Sequence, residues 1–367
     1  MKKSKSYYSE FFQAVFLLVG TVIGAGIFSL PFAFMRSGWL LSLLGLIGLT
    51  LVSLIINLFY ARVIVGSPGD HQLPGYAKKY LGTGGKWLGF FCIFFSAWGA
   101  MLAYVILGGD FLGLLFGHSP GILLSLLFWS WGSFFVWGGI KTISVIESWL
   151  TATLIGVCLL VPILGLPFFS QQNIVLKESS SFAFYGPVLF SLSGLGVIPE
   201  VEEILRKKRF LLPRAIGLGM IISAVVYFVF GFGILGISGA ATTTDALTGL
   251  ISFSPFLTKI GALCGALATF TSFLSLGNVL REMFFRDLRW SLKTSQFISV
   301  TLCLPAVFLT LTYFLPIISL TGSLAIGSGS LLVLIIFFKR FANQLSEKLL
   351  ALIVGLLLLG GVITTLF

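Results

Sequence analysis

Groups able to move protons near neutral pH are almost missing from this sequence, which has two histidines, His71 and His118. Both fall in or beside loops, and neither belongs to an H-E-x-x-H pattern or a serine-nucleophile motif. An intramembrane enzyme therefore lacks a base, and no catalytic residue is assigned. The four cysteines, Cys92, Cys158, Cys264 and Cys303, make no C-x-x-C pair and lie inside apolar runs, where they serve as small core residues. No metal site or cofactor is implied. A channel would need a repeated filter or a ring of charge, and neither is present. Scarcest of all is charge. Asp, Glu, Lys and Arg together make 10% of the 367 residues, against 57% hydrophobic. A soluble domain of this size could not keep that balance in water.

What the sequence does contain is long uncharged runs. Crossing about 30 Å of hydrocarbon takes about 20 apolar residues. Reading between charges gives eleven spans, near 11–35, 38–62, 87–109, 119–139, 148–168, 184–204, 214–236, 256–280, 296–313, 317–338 and 347–367. A tight turn is expected at Tyr313 to Pro316. The longest hydrophilic connection, Arg62 to Lys86, is too short for a core of its own, so residues 1–367 form a single transmembrane domain.

The net charge of +11 would suit nucleic acid, but its distribution argues otherwise. With the amino terminus in the cytoplasm and the carboxyl terminus outside, all but Arg36, Lys177 and Lys259 of the 23 Lys and Arg residues fall on the inner side. That is the bias expected when cationic loops set orientation in a cytoplasmic membrane. The expected partners are the bilayer and a small solute, not nucleic acid. Oligomeric state leaves no signal.

Two spans are interrupted. The first contains Gly20, Gly24 and Gly26 followed by Pro31, and the sixth contains Ser191, Ser193, Gly194 and Gly196 followed by Pro199. Glycines weaken a helix, and backbone groups freed in lipid need another partner. The interruptions hold matching places in two sets of five spans, roughly 11–168 and 184–338, with 347–367 left over. Five is odd, so the second set runs opposite to the first. This is an inverted repeat in which broken helices meet near the midplane. The half-helix after Gly24 would hold a carboxylate, and carbonyls around Ser191 to Ser193 an amine. Taken singly, each glycine pattern reads first as a small-xxx-small packing face, and it is the matching positions in the two sets that favour the binding site.

The stretch from Gly20 to Pro31 resembles the first-helix signature of the amino acid/auxin permease and hydroxy/aromatic amino acid permease families. Those families belong to the amino acid–polyamine–organocation superfamily with the LeuT-type fold. Leu73 to Tyr76, Tyr80 to Gly82, Ser191 to Glu203 and Thr271 to Gly277 add supporting matches. The resemblance implies an all-α membrane transporter whose helices 1, 2, 6 and 7 rock against the others. It implies cation-coupled symport of an amino acid, with another small amine or organic cation as the alternative. It also implies a substrate site from Thr21, Gly24, Ala25, Gly26, Phe190, Ser191, Ser193 and Gly194, with Tyr104 against the carboxylate.

For the coupling cation the resemblance implies carbonyls of Gly20 and Ile23 with Ala268, Thr271 and Ser272, which share a helix face and offer oxygen ligands. Hydroxyls at 271 and 272 could instead bond their own helix. No lysine occurs from Ser148 to Pro167, where some proton-coupled relatives carry one. Sodium and protons both stay open. Glu147 and Glu200 are the gate or proton-site candidates, being the carboxylates nearest to membrane depth. Glu202 with Arg206 and Glu203 with Lys207 stand at i, i+4. By analogy Lys5 and Asp287 would form a latch at the cytoplasmic end.

Overall fold

A computed structural model describes residues 2–67, 69, 71–118, 121–137, 143–174, 182–304 and 314–366, and all regular structure among them is helical. The first span is a broken helix. Helix α1 (Lys2–Val22) stops, and α2 (Gly26–Ser37) resumes at an angle of 54°. Gly38, at φ 82°, turns the chain into α3 (Trp39–Val65). Only glycine adopts that conformation without strain, which explains a connection of one residue.

Helix α4 (Leu73–Phe116) is longer than expected, because the polar stretch before Lys86 is helical as well. The backbone leaves helical geometry at Gly82, with φ 75° and ψ −161°, and this kink separates a short amphipathic piece from the crossing segment. Charge before position 87 hid a helix that need not lie in hydrocarbon. Then follow α5 (Ile122–Trp137) and α6 (Ile143–Leu164). The sixth span is again broken, into α7 (Tyr185–Ser191) and α8 (Ile198–Ile204).

The remaining helices are α9 (Leu212–Ser238), α10 (Pro255–Glu282) with a π turn at Met283–Asp287, α11 (Leu292–Thr301), α12 (Phe314–Arg340) and α13 (Leu345–Leu366). Phe314 and Pro316 start α12, so they are not part of the expected tight turn, and Tyr313 lies outside the described residues. Among the described residues six helices are long and apolar enough to span a bilayer, and the bent α1–α2 pair makes a seventh. Helices α5 and α6, the broken α7–α8 pair and α11 occupy the other expected positions.

The packed interior joins both broken helices to α3, α4, α9, α10 and α12, with Leu18, Ile23, Phe28, Tyr60 and Phe273 fully buried. Leu44, Leu51, Phe91, Phe134, Leu356 and Leu357 stay exposed on α3, α4, α5 and α13, as lipid-facing side chains should.

Charges meet at one end of the bundle. Lys208 Nζ lies 2.8 Å from Glu10, Arg62 2.6 Å from Glu347, and Glu282 is gripped by Arg281 at 2.7 Å and Arg286 at 2.6 Å. Glu202 is buried and pairs with Arg206 at 3.6 Å, as its spacing predicts, and more closely with Arg209 at 2.7 Å. Among the described residues Glu203 and Lys207 form no pair; both are exposed, and water competes for them. Glu202→Ala should cost about 1–2 kcal/mol, since the arginines it leaves are partly solvated. Thermal unfolding in detergent would register this, and an unchanged midpoint would show the contact to be inert.

Candidate substrate site between two broken helices

At the first interruption the helical ladder fails among glycines, the residues that lose most backbone freedom in a helix. Gly24 N–H bonds the Val22 carbonyl at 2.9 Å, two residues back, and Ile27 N–H reaches the Gly24 carbonyl only at 3.4 Å. At the second, Ser193 N–H bonds Phe190 O at 3.2 Å and Val197 N–H bonds Gly194 O at 3.1 Å, both three residues back. Helix ends leave their last carbonyls and first amides without intrahelical partners. Four such ends meet here.

The interruptions touch. A Cβ on Gly26 would overlap the Ser191 hydroxyl and lie 3.0 Å from the Phe190 ring, so only glycine lets α2 approach α7 this closely. A Cβ on Gly24 would lie 2.7 Å from the Tyr104 hydroxyl and 3.0 Å from Ser272 Oγ. One missing side chain thus admits groups from α4 and α10. Tyr104 is 4% exposed, and Ser272 Oγ is buried beside its hydroxyl.

Thr21, Gly26, Tyr104, Phe190 and Ser193 line one internal cavity of about 60 Å³ between α1–α2, α4, α7–α8, α10 and α12. Gly24 and Ala25 are buried at the break itself and do not line the cavity. Ser191 is turned away, its hydroxyl donating to Pro187 O at 2.8 Å. A Cβ on Gly194 would lie 2.9 Å from Asn57 Nδ2 and 3.3 Å from Leu18, so its place is in packing against α3 and α1. The sequence reading missed Ser96, Ala97 and Ala100 on α4 and Gly329 on α12, which also face the cavity. Small residues recurring along α4 were the available signal. Sites for small molecules commonly span roughly 300–1,000 Å³. This cavity is contracted, and a substrate with a side chain needs its walls to move apart.

A second cavity, of about 340 Å³, opens at the charged end. Leu17 on α1, Glu200 and Glu202 on α8, and Ser275, Asn278 and Arg281 on α10 line it. Leu17 lies one turn from Thr21, and Ser275 and Asn278 adjoin Leu276 and Val279, which line the inner cavity. The wide vestibule therefore leads toward the contracted site along α1 and α10.

Of the residues expected around a cation, Gly20, Ile23 and Ala268 are buried, and Ser272 is brought to the α1–α2 break. Thr271 donates to Ala268 O at 3.0 Å within its own helix. That bond uses the hydroxyl proton and leaves its oxygen able to accept. Glu200 faces the vestibule rather than the inner cavity. The side chains of Glu147 and Lys5 lie outside the described residues. The side chain of Asp287 is buried, and His71 Nδ1 lies 3.6 Å from its Oδ1.

Comparison with known proteins agrees with this architecture. The sequence pattern of the tryptophan/tyrosine permease family matches residues 8–348. Amino acid transporter AVT3B of Arabidopsis thaliana is 26% identical over an alignment that covers 98% of this chain and 92% of the relative. Tyrosine-specific transport system 1 of Haemophilus influenzae is 25% identical, covering 72% of this chain and 70% of the relative. The crystal structure of MhsT in complex with L-phenylalanine superposes with a TM-score of 0.71 at 16% identity, over 96% of this chain and 97% of that one. At that identity the likeness concerns fold, and it gives this protein the LeuT-type arrangement. With a family pattern running through nearly its whole length, the chain is a multi-pass membrane protein that belongs to the tryptophan/tyrosine permease family.

Proposed function

We propose that this protein is a secondary active transporter that carries an amino acid, preferentially an aromatic one, across the cytoplasmic membrane by alternating access. The observation that carries this reading is the meeting of both helix interruptions around one small, lined cavity. Amides at the start of α2 suit a carboxylate, and carbonyls at the ends of α1 and α7 suit an ammonium group. Family membership and relatives named for amino acid or tyrosine transport support the same substrate class. The vestibule at the charged end is the cytoplasmic opening in this reading, with the amino terminus inside and the carboxyl terminus outside. With the vestibule open on the cytoplasmic side and the inner cavity contracted and separate from it, this reading makes the structure an inward-facing, occluded form.

Coupling is to a cation entering with the solute. Ser272 Oγ beside Gly24, with the carbonyls of Gly20, Ile23 and Ala268 and the oxygen of Thr271, gives an oxygen-only set suited to sodium. Glu200 in the vestibule is the carboxylate through which a proton would serve instead.

Uptake of radiolabelled amino acids into proteoliposomes, with sodium and proton gradients imposed separately, tests the proposal. Saturable uptake of tyrosine, tryptophan or phenylalanine driven by an inward sodium gradient is expected. Uptake that does not saturate, or that favours amines without a carboxylate, would overturn it.

A further inference from the structure

Helix α9 contains one tyrosine that touches both interrupted helices at once. Tyr227 is fully buried, and its hydroxyl lies 2.6 Å from the carbonyl oxygen of Val22 and 2.7 Å from that of Ser191. Val22 is the last residue of α1, and Ser191 is the last residue of α7. These are two of the carbonyls that a helix end leaves without an intrahelical donor. The hydroxyl of Ser191 itself does not help, being bonded to Pro187 O. Val22 O also receives the Gly24 amide, whereas the Tyr227 hydroxyl is the donor that reaches it from another helix.

We propose that Tyr227 is a positioning residue of the substrate site, its hydroxyl fixing the ends of α1 and α7 to each other and so setting the separation of the walls they give the cavity. The inference rests on reading that cavity as the substrate site. Three features carry it. First, Val22 and Phe190, the latter adjoining Ser191, line the cavity, so a shift of either carbonyl displaces a wall. Second, α9 braces the broken helix on both sides of the break. Gly219 packs on Leu18 of α1, while Phe230 stacks edge-on to Phe28 at 5.5 Å and Phe232 lies 4.9 Å from Phe34, both on α2. Third, a phenol has one proton and meets two carbonyls, and because Val22 O already accepts the Gly24 amide, that proton is divided between a carbonyl with one donor and Ser191 O. A tyrosine kept only to fill space would need one partner for its hydroxyl, and that partner need not bridge the two interruptions.

The distinction is testable, because a role in packing alone depends on the ring and positioning depends on the donor. Tyr227→Phe keeps the ring and removes the donor. 4-Aminophenylalanine, installed at position 227 by nonsense suppression, keeps the ring and offers two N–H donors, one for each carbonyl. Uptake of L-tyrosine, L-tryptophan and L-phenylalanine into proteoliposomes would be measured for the wild type and both variants, normalised to folded protein. For Tyr227→Phe, KM should rise about tenfold, the scale of an unsatisfied buried carbonyl, with maximal rate within about twofold of wild type. The amino variant should restore KM to the wild-type value or below.

Equal KM in all three proteins would overturn the inference and leave the transport reading standing. An amino variant as impaired as Tyr227→Phe, or as poorly recovered if the latter fails to accumulate, would overturn it as well. Absence of saturable uptake by the wild type would overturn the transport reading and this inference together.

Discussion

Gly24→Val should nearly abolish transport without unfolding the protein. Its Cβ would lie 2.7 Å from the Tyr104 hydroxyl and 3.0 Å from Ser272 Oγ, both buried, and the two γ-methyls need further room. Tyr104 lines the contracted cavity of about 60 Å³, so the phenol has somewhere to go, and where it goes is the site itself. Overpacking of this kind costs about 1–3 kcal/mol. Every 1.4 kcal/mol of that, charged to the substrate-bound form, is about tenfold in affinity. The global fold is spared because Gly24 already lies between two helices and interrupts no ladder. Proteoliposome uptake at least about tenfold below wild type, at equal recovery of folded protein, is the expected result. Near-normal uptake would mean that Tyr104 and Ser272 do not converge on Gly24 in the working transporter.

Gly322→Ala should do the reverse, harming the fold first. Gly322 sits in a π turn of α12 at Thr321–Ile326, and a Cβ there would overlap the carbonyl oxygen of Gly186 in α7. A Cβ on Gly186 would in turn lie 2.6 Å from the carbonyl oxygen of Ser319. Here backbone meets backbone, and no flexible side chain can swing aside. The only relief is separation of α7 from α12, which carries the sixth-span break with it. A loss of about 3 kcal/mol, the upper end for overpacking, is expected to lower the thermal midpoint in detergent and the yield from membranes together. A wild-type midpoint would contradict this contact. Activity per folded molecule separates the two glycine variants, falling for Gly24→Val and holding better for Gly322→Ala.

Much of this was legible in the chain because lipid leaves a protein few options. A backbone without water must be helical, so uncharged runs announced the spans and clustered glycines announced the breaks. Thr21, Gly26, Phe190 and Ser193, which the family resemblance implied, line one cavity. The misses share a different cause. Helix α4 began early because a charged amphipathic turn carries no hydropathy signal. Gly194 and Gly196 look alike in sequence, yet a Cβ on Gly194 would crowd Asn57 at 2.9 Å, whereas one on Gly196, which lines the cavity, would make an ordinary contact with Val279 at 3.8 Å. Which face a glycine turns is set by the partner helix, and one strand of letters does not hold that. Tyr227 was invisible for the same reason, as an ordinary aromatic in an apolar run whose importance comes from two carbonyls far away in sequence. Likewise, spacing gave Glu202 its Arg206 partner, but the closer Arg209 depends on how the chain turns after α8.

The central claim is that backbone groups at the two interruptions are themselves the binding groups for the solute. Amide hydrogen exchange on the purified transporter in lipid nanodiscs, with and without saturating L-tyrosine, measures those groups directly. Protection should appear in both segments, around residues 22–27 and 191–198, while the exposed faces of α5 and α13 stay unchanged. Saturable binding of the amino acid with no change in exchange at either interruption would contradict the account.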